Sequence, residues 1–143
     1  MEKVILFASD QWLLITALVA AVWLLAWFEQ RSAGTGVSSH SLTNLVNSQQ
    51  AIVVDLREKA DFDAGHIVDA VNISFSKWQS QQAAGGETEL SQYKAQPIVL
   101  VCKLGQQSSH VARKLDAEEF NGIYRLSGGL AEWKNAQMPV VKT

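Results

Sequence analysis

Apolar residues in this chain form one long run near the amino terminus and several short runs after it. The long run, residues 11–28, carries no charged residue. As a helix it would be about 27 Å long at about 1.5 Å per residue, close to the thickness of a bilayer's hydrocarbon core. Trp12 and Trp27 lie near its two ends, where interfacial aromatic residues are common. The pattern predicts a transmembrane helix within residues 1–30.

Two other interpretations of this segment are a cleaved signal peptide and a buried core helix. Asp10 interrupts the region before the apolar run, and bulky residues occupy the place of a cleavage site, which argues against a signal peptide. A core helix would need a polar face, and Thr16 is the only polar residue between Trp12 and Phe28. A single-pass membrane anchor is therefore the preferred interpretation.

The orientation of this anchor does not follow from charge. Lys3 precedes the apolar run and Arg31 follows it, so the positive residues are almost balanced. An unpaired cysteine, Cys102, is easier to keep reduced in the cytosol. We therefore expect the amino terminus outside and the remaining domain in the cytoplasm.

The rest of the chain alternates between strand and helix patterns. Residues 31–39 are small and polar and predict a flexible linker, and residues 40–143 form one domain. Residues 79–89 are expected to be a surface excursion. Strands or extended segments are predicted at 51–54, 70–73, 97–101 and 123–126, and helical segments near 42–46, 58–65, 90–94, 109–119 and 130–135. This alternation is typical of an α/β domain with a central, largely parallel sheet flanked by helices.

Composition excludes several classes of function. The chain is 48% hydrophobic and 18% charged, with a formal net charge of -2. A basic surface for a nucleic-acid backbone is therefore not expected. The single cysteine cannot form an intramolecular disulfide, and no clustered histidines accompany it, so neither a metal nor a cofactor is expected.

Cys102 lies where catalytic chemistry is favoured. It directly follows the apolar run 97–101 and precedes a short loop and a helical segment. The N–H groups of such a loop and the positive end of a helix favour thiolate over thiol. In parallel sheets, this carboxyl edge is where ligands bind. The alternative is an inert cysteine packed in the core.

Four segments in order resemble a rhodanese-like sulfurtransferase domain, over residues 41–141. They are VVDLR at 53–57, FDAGHI at 62–67, IVLVCKLGQQSS at 98–109 and LSGGLAEW at 126–133. Membrane-anchored, single-domain proteins of this layout occur in bacteria, so the resemblance implies a single-pass protein of the bacterial inner membrane.

The resemblance implies a mechanism for Cys102. The cysteine would take a sulfane sulfur from thiosulfate or a protein persulfide, become a persulfide, and pass the sulfur to a thiol or to cyanide. Neutral Gln107 stands where many members carry arginine or another polar group, which implies weak affinity for thiosulfate or a protein persulfide as donor. Lys103 would attract an anionic donor, or else be an ordinary solvated lysine. The implied substrate-binding residues are Lys103, Leu104, Gly105, Gln106, Gln107 and Ser108.

Other residues of the resemblance have supporting roles. Asp55 and Arg57 would form a structural ion pair that fixes the loop after a central strand. His66 would be satisfied by nearby backbone, and Gly128 with Gly129 would form the turn on the far wall of the site. His110, on the helix after the loop, is expected to be exposed and not to act as a base.

Two other functions compete with sulfur transfer. A cysteine phosphatase grips phosphate with an arginine six positions after the cysteine, and this chain has Ser108 there. A catalytically inactive rhodanese-like module could instead bind a membrane-protein partner, because fold does not fix function. The presence of Cys102 favours the enzyme.

Overall fold

A computed structural model describes residues 11–31, 34–116 and 120–143 of the chain. The chain divides into two compact units, with the boundary between residues 32 and 33. The helices are α1 (Trp12–Arg31), α2 (Ser39–Gln49), α3 (Lys59–Ala64), α4 (Phe75–Ala83), α5 (Gln106–Asp116) and α6 (Gly129–Asn135), with a 3₁₀ helix at Glu89–Tyr93. The strands are β1 (Thr35–Val37), β2 (Ile52–Asp55), β3 (Val71–Asn72), β4 (Ile98–Val101) and β5 (Ile123–Leu126).

The first unit contains α1, which does not support the predicted transmembrane anchor. Among the described residues, no helix combines the length and the apolar character needed to cross a membrane. The last turn of α1 has the polar sequence Glu29-Gln30-Arg31.

The predicted orientation of that anchor is left without structural support. Of the charged residues that flank the apolar run, Lys3 and Asp10 lie outside the described residues.

Within α1, the Thr16 hydroxyl donates to the carbonyls of Trp12 and Leu13, at 2.9 and 3.0 Å. The polar atom of this side chain is thus satisfied within its own helix.

The second unit begins inside the predicted flexible linker 31–39, and that prediction is wrong from residue 35 onward. Thr35–Val37 forms β1, an edge strand that pairs in parallel with β5. The Ser127 amide donates to the Val37 carbonyl at 2.9 Å, and Val37 is buried. Backbone hydrogen bonds hold this strand in the sheet. Its side chains are mostly small or polar, so the sequence shows no apolar pattern that would predict a strand. Residues 32 and 33 lie outside the described part.

The strands of the second unit form one parallel sheet. Their order across the sheet is β1, β5, β4, β2 and β3, and each neighbouring pair is parallel. The predicted α/β architecture, a parallel sheet flanked by helices, is therefore confirmed. Strand β4 lies at the centre, between β2 and β5, so its carboxyl end is enclosed by loops from both neighbours.

Both faces of β4 are buried, which explains its uninterrupted apolar sequence. Ile98 and Leu100 belong to the core cluster that includes α5, while Val99 and Val101 belong to the cluster that includes α2 and α6. Cys102 continues the series of Ile98 and Leu100. Because side chains alternate along a strand, the thiol is directed to the face on which α5 begins.

Residues 79–83 of the predicted surface excursion at 79–89 belong to a helix, and they are exposed or half-buried. Residues 75–83 form α4, whose amino terminus is capped by the Ser74 hydroxyl, which accepts from the Lys77 amide at 3.4 Å. Trp78 is the buried residue of this helix, at 2% exposure. Phe75 also packs on the core, but the residues after Trp78 are polar or small, so the helical apolar period is too short to detect. The predicted end of the helix after Cys102, residues 117–119, lies outside the described residues.

Candidate active site

Cys102 follows β4 directly, and the loop that leads from it into α5 folds over its side chain. The residue is 2% exposed. Its sulfur is approached by two backbone amides: the Gly105 amide donates to Sγ at 3.0 Å and the Ser108 amide at 3.5 Å. These are the groups that stabilise negative charge on a sulfur atom without any rearrangement.

Ser108 is fully buried and joins the sulfur to the loop. Its Oγ lies 3.5 Å from Cys102 Sγ and donates to the Gly105 carbonyl at 2.9 Å. The Ser109 hydroxyl donates to the same carbonyl at 2.8 Å. The backbone of Gly105 is therefore held at both of its polar groups, with its N–H donating to the sulfur and its C=O accepting from the two hydroxyls.

The carbonyls that begin the loop are turned away from the sulfur by α6. The Leu130 amide donates to the Cys102 carbonyl at 2.8 Å, and the Ala131 amide donates to the Lys103 carbonyl at 3.2 Å. This approach needs glycine at position 129, because a Cβ there would overlap the Cys102 carbonyl oxygen and lie 2.6 Å from that of Lys103. Gly129 also has a φ of +63°, which glycine adopts without strain.

The exposed residues of the loop line a pocket of about 290 Å³. Cys102 lies on its wall, with Lys103, Leu104, Gln106 and Gln107 from the loop. Opposite them are Leu56, Arg57, Glu58 and Asp61, from the segment after β2. Of the predicted substrate-binding residues, four thus line the pocket, while Gly105 and Ser108 contact the sulfur.

The charges around this pocket are mixed. Arg57 and Lys103 bring positive charge, and Glu58 and Asp61 bring negative charge. Glu58 accepts a hydrogen bond from the Ser76 hydroxyl at 2.8 Å. Asp61 makes no ion pair or hydrogen bond with its side chain in the described part of the chain. A dianion at the sulfur would therefore meet carboxylates as well as a lysine.

Asp55 and Arg57 form a buried ion pair behind the pocket. Arg57 Nη2 lies 2.7 Å from Asp55 Oδ2, and Nε lies 3.0 Å from Oδ1. Nη2 also donates to the Gly65 carbonyl at 2.8 Å, which ties the pair to the end of α3. Asn72 donates from Nδ2 to the Arg57 carbonyl at 2.9 Å. The pair and Asn72 hold the segment that forms the wall facing Cys102.

The two histidines singled out from the sequence lie elsewhere. His66 is buried, with Nδ1 2.8 Å from the Phe62 carbonyl oxygen, and its backbone pairs with Val141. His110 is exposed on α5 and contacts the edges of the Phe75 and Trp78 rings. Neither imidazole lines the pocket of Cys102.

Several site residues were missed in the sequence. Glu58 and Asp61 were read only as part of a short helical turn, and Asn72 as part of an extended segment and of the family resemblance, without a role in the site. Leu130 and Ala131 contribute backbone amides, for which side-chain chemistry gives no signal. The one sequence signal available was the pair Gly128-Gly129 next to them, which marks a close approach of backbone.

This chain is similar in sequence to known proteins. The model of the family described as "Rhodanese-like domain" matches residues 38–136. The uncharacterized protein YibN of Escherichia coli (strain K12) is 30% identical over 126 residues, which cover 88% of this chain and 85% of that protein. Thiosulfate sulfurtransferase GlpE of Coxiella burnetii (strain RSA 331 / Henzerling II) is 28% identical over 90 residues, 63% of this chain and 78% of that protein.

A solved structure has the same fold. The crystal structure of a rhodanese-related protein from Thermoplasma volcanium superposes with a TM-score of 0.61 and 21% sequence identity, covering 75% of this chain and 97% of that one. At this identity the likeness concerns the fold alone. Together with the family match over residues 38–136, it identifies the chain as a member of the rhodanese-like domain family.

Proposed function

We propose that this chain is a sulfurtransferase in which Cys102 carries a sulfane sulfur as a persulfide. The observation that carries the proposal is the convergence of the Gly105 and Ser108 amides on Sγ beside an open pocket. A persulfide bears its negative charge on the outer sulfur, and fixed N–H dipoles stabilise such a charge in place. The family match supports the same chemistry at the level of the family.

The first step loads the sulfur. The Cys102 thiolate attacks the sulfane sulfur of thiosulfate, a new S–S bond forms, and the bond to the sulfonate sulfur breaks. Sulfite leaves with the electron pair, so no external oxidant or reductant is needed. In the second step a thiol or cyanide attacks the outer sulfur, and Cys102 is released as thiolate.

The donor is thiosulfate or the persulfide of a partner protein. Lys103 at the pocket favours an anionic donor, whereas neutral Gln107 and the carboxylates of Glu58 and Asp61 weaken the attraction for a dianion. Leu104 on the same loop is 61% exposed, which suits contact with a protein surface. We expect measurable turnover of thiosulfate and faster turnover of a protein persulfide.

A steady-state assay with thiosulfate and cyanide tests the proposal. Thiocyanate should form with the wild-type chain and should be absent with Cys102→Ser. The same pair is then compared with a protein persulfide as donor. If the wild-type chain transfers sulfur from neither donor, the chain is a binding module and the proposal fails.

We also propose that α1 associates with a lipid bilayer. Large apolar side chains are exposed along the whole helix, among them Leu13 at 66%, Leu18 at 66% and Leu25 at 66%. An apolar surface of this extent is covered in a stable protein, and the tryptophans Trp12 and Trp27 suit the region of lipid headgroups. The proposal concerns association with lipid and not passage through it.

Vesicle flotation of the full chain tests this association. The chain should float with phosphatidylcholine vesicles at high salt, because apolar contact is not screened by ions. A variant with Leu18→Lys and Leu25→Lys should stay in the dense fraction. Flotation of the variant to the same extent as the wild type would contradict the association.

A further inference from the structure

A second pocket adjoins the pocket at Cys102. It has a volume of about 250 Å³ and is lined by Arg57, Asp61, Lys103, Leu130, Ala131 and Lys134. The first three of these residues also line the pocket at Cys102. The two pockets therefore share one wall, and we call them together the groove, which extends from Cys102 past Lys103 to α6.

The position of this second pocket is fixed by the loop that leads from Cys102 into α5. The amides of Leu130 and Ala131 donate to the carbonyls of Cys102 and Lys103. The first turn of α6 is thus joined to the loop by backbone hydrogen bonds. Lys134 lies in the last turn of the same short helix. A ligand group in the second pocket is therefore held at a fixed distance from the sulfur of Cys102.

Charge distinguishes the two ends of the groove. Lys134 and Lys103 make no ion pair with any residue that the structure describes. The charge of Arg57 is balanced by Asp55, at 2.7 Å. One carboxylate, Asp61, lines the second pocket, whereas Glu58 and Asp61 both line the pocket at Cys102. Positive charge is therefore in excess at the end of the groove away from the sulfur.

We propose that the second pocket binds the carboxylate of an organic thiol, and that Lys134 determines this specificity. The inference rests on the proposed function and names the class of its acceptor. A carboxylate accepts charge-assisted hydrogen bonds from lysine, and the flexible lysine side chain adapts to ligands of different length. The sulfhydryl end of the same molecule then lies in the pocket at Cys102.

Transfer of sulfur to this acceptor balances in atoms and electrons. The thiolate of the acceptor attacks the outer sulfur of the Cys102 persulfide and forms a new S–S bond. The bond between that sulfur and Sγ breaks, and its electron pair returns to Sγ as thiolate. The organic persulfide leaves with the sulfane sulfur, and no other reactant takes part.

The test uses the full chain loaded with sulfur from thiosulfate and freed of excess donor. Discharge is followed against mercaptohexanoate and mercaptohexanol, which share an alkyl chain and differ in carboxylate against hydroxyl. Half-saturation should occur at a lower concentration of the carboxylate. Lys134→Gln should raise that concentration about two- to fivefold for mercaptohexanoate and leave it unchanged for mercaptohexanol.

Lys114→Gln is the matched control. Lys114 is an exposed lysine in the last turn of α5, as Lys134 is in the last turn of α6. The two variants remove the same charge from the same place in a helix. The inference is overturned if the wild type does not distinguish the two acceptors, or if Lys134→Gln behaves as Lys114→Gln does.

A second readout does not depend on sulfur loading. Hexanoate, which has no sulfhydryl group, should slow alkylation of Cys102 by iodoacetamide more than hexanol does, and Lys134→Gln should abolish the difference. Protection without sulfur loading from either thiosulfate or a protein persulfide would leave the binding site standing and overturn the proposed function. Sulfur loading with equal protection by both compounds would overturn the carboxylate site and leave the proposed function standing.

Discussion

Gly129 lies directly against the carbonyl group of Cys102. A Cβ at position 129 would overlap that oxygen, and the amide of the next residue, Leu130, donates to it at 2.8 Å. The start of α6 thereby fixes the peptide that follows Cys102. With its carbonyl held away from the sulfur, the loop can direct amides toward it.

Gly129→Ala should both destabilise the fold and impair sulfur uptake. Its φ of +63° and the overlap with backbone together should lower the free energy of unfolding by more than about 2 kcal/mol. Urea denaturation measures this change. Gly86→Ala is the control, because a Cβ there meets nothing within 4 Å. Equal stability of the two variants would contradict the close approach at Gly129.

Ser108→Ala should reduce the rate of sulfur uptake by about tenfold or more, because the Ser108 hydroxyl, which accepts from the Cys102 thiol at 3.5 Å, can turn from the Gly105 carbonyl to donate to the thiolate once the thiol proton is lost. The free energy of unfolding should fall by about 1 kcal/mol with the loss of one buried hydrogen bond. Stopped-flow loading with thiosulfate measures the rate. Ser109→Ala removes a bond to the same Gly105 carbonyl without touching the sulfur. If both variants slow uptake equally, Ser108 acts only through the shape of the loop.

Arg57→Ala should be strongly destabilising. It leaves the Asp55 carboxylate, 1% exposed, without its partner, and breaking a buried pair from one side costs about 3–5 kcal/mol. Lys59→Ala provides the comparison, since Lys59 pairs with Asp63 at an exposed position and its loss should cost less than about 1 kcal/mol. Chemical denaturation of both variants decides the point. Similar costs would show that the pair of Asp55 and Arg57 is not a structural one.

Asp61→Asn should raise kcat/KM for thiosulfate. Its carboxylate lines the pocket of Cys102 and has no partner among the described residues, so it repels a dianion. The gain should be about two- to fivefold at low ionic strength and should shrink as salt is added. Asp69→Asn removes the same charge from an exposed residue outside the pocket. An equal gain in that variant would assign the effect to net charge.

Much of this fold could be predicted from the pattern of apolar residues. Strand β4 is buried along its whole length and β2 over most of it, and burial leaves a strong signal in the sequence, while β5 is buried at Ile123 and Leu126. Helix α4 and strand β1 gave no such signal, because α4 packs on the core through Phe75 and Trp78 among polar residues, and β1 is held by backbone pairing with β5. The structure does not support the membrane span predicted from the apolar run of α1.

The sequence predicted the Cys102 side of the candidate site but not the opposite wall. Cys102 and its loop are contiguous in sequence, so the strand, loop and helix pattern indicated them together. The opposite wall comes from Glu58 and Asp61, which reach the pocket only because β2 lies beside β4 in the sheet. That neighbour relation depends on strand order, which no local pattern of residues encodes.

The central claim is that Cys102 takes up one sulfane sulfur and holds it. The most direct test is the intact mass of the full chain after incubation with thiosulfate, or with a protein persulfide, and removal of the donor. The wild-type chain should gain the mass of one sulfur atom, lose it again on addition of a thiol, and the Cys102→Ser variant should gain nothing. An unchanged wild-type mass with both donors, or an equal gain in Cys102→Ser, would contradict the account.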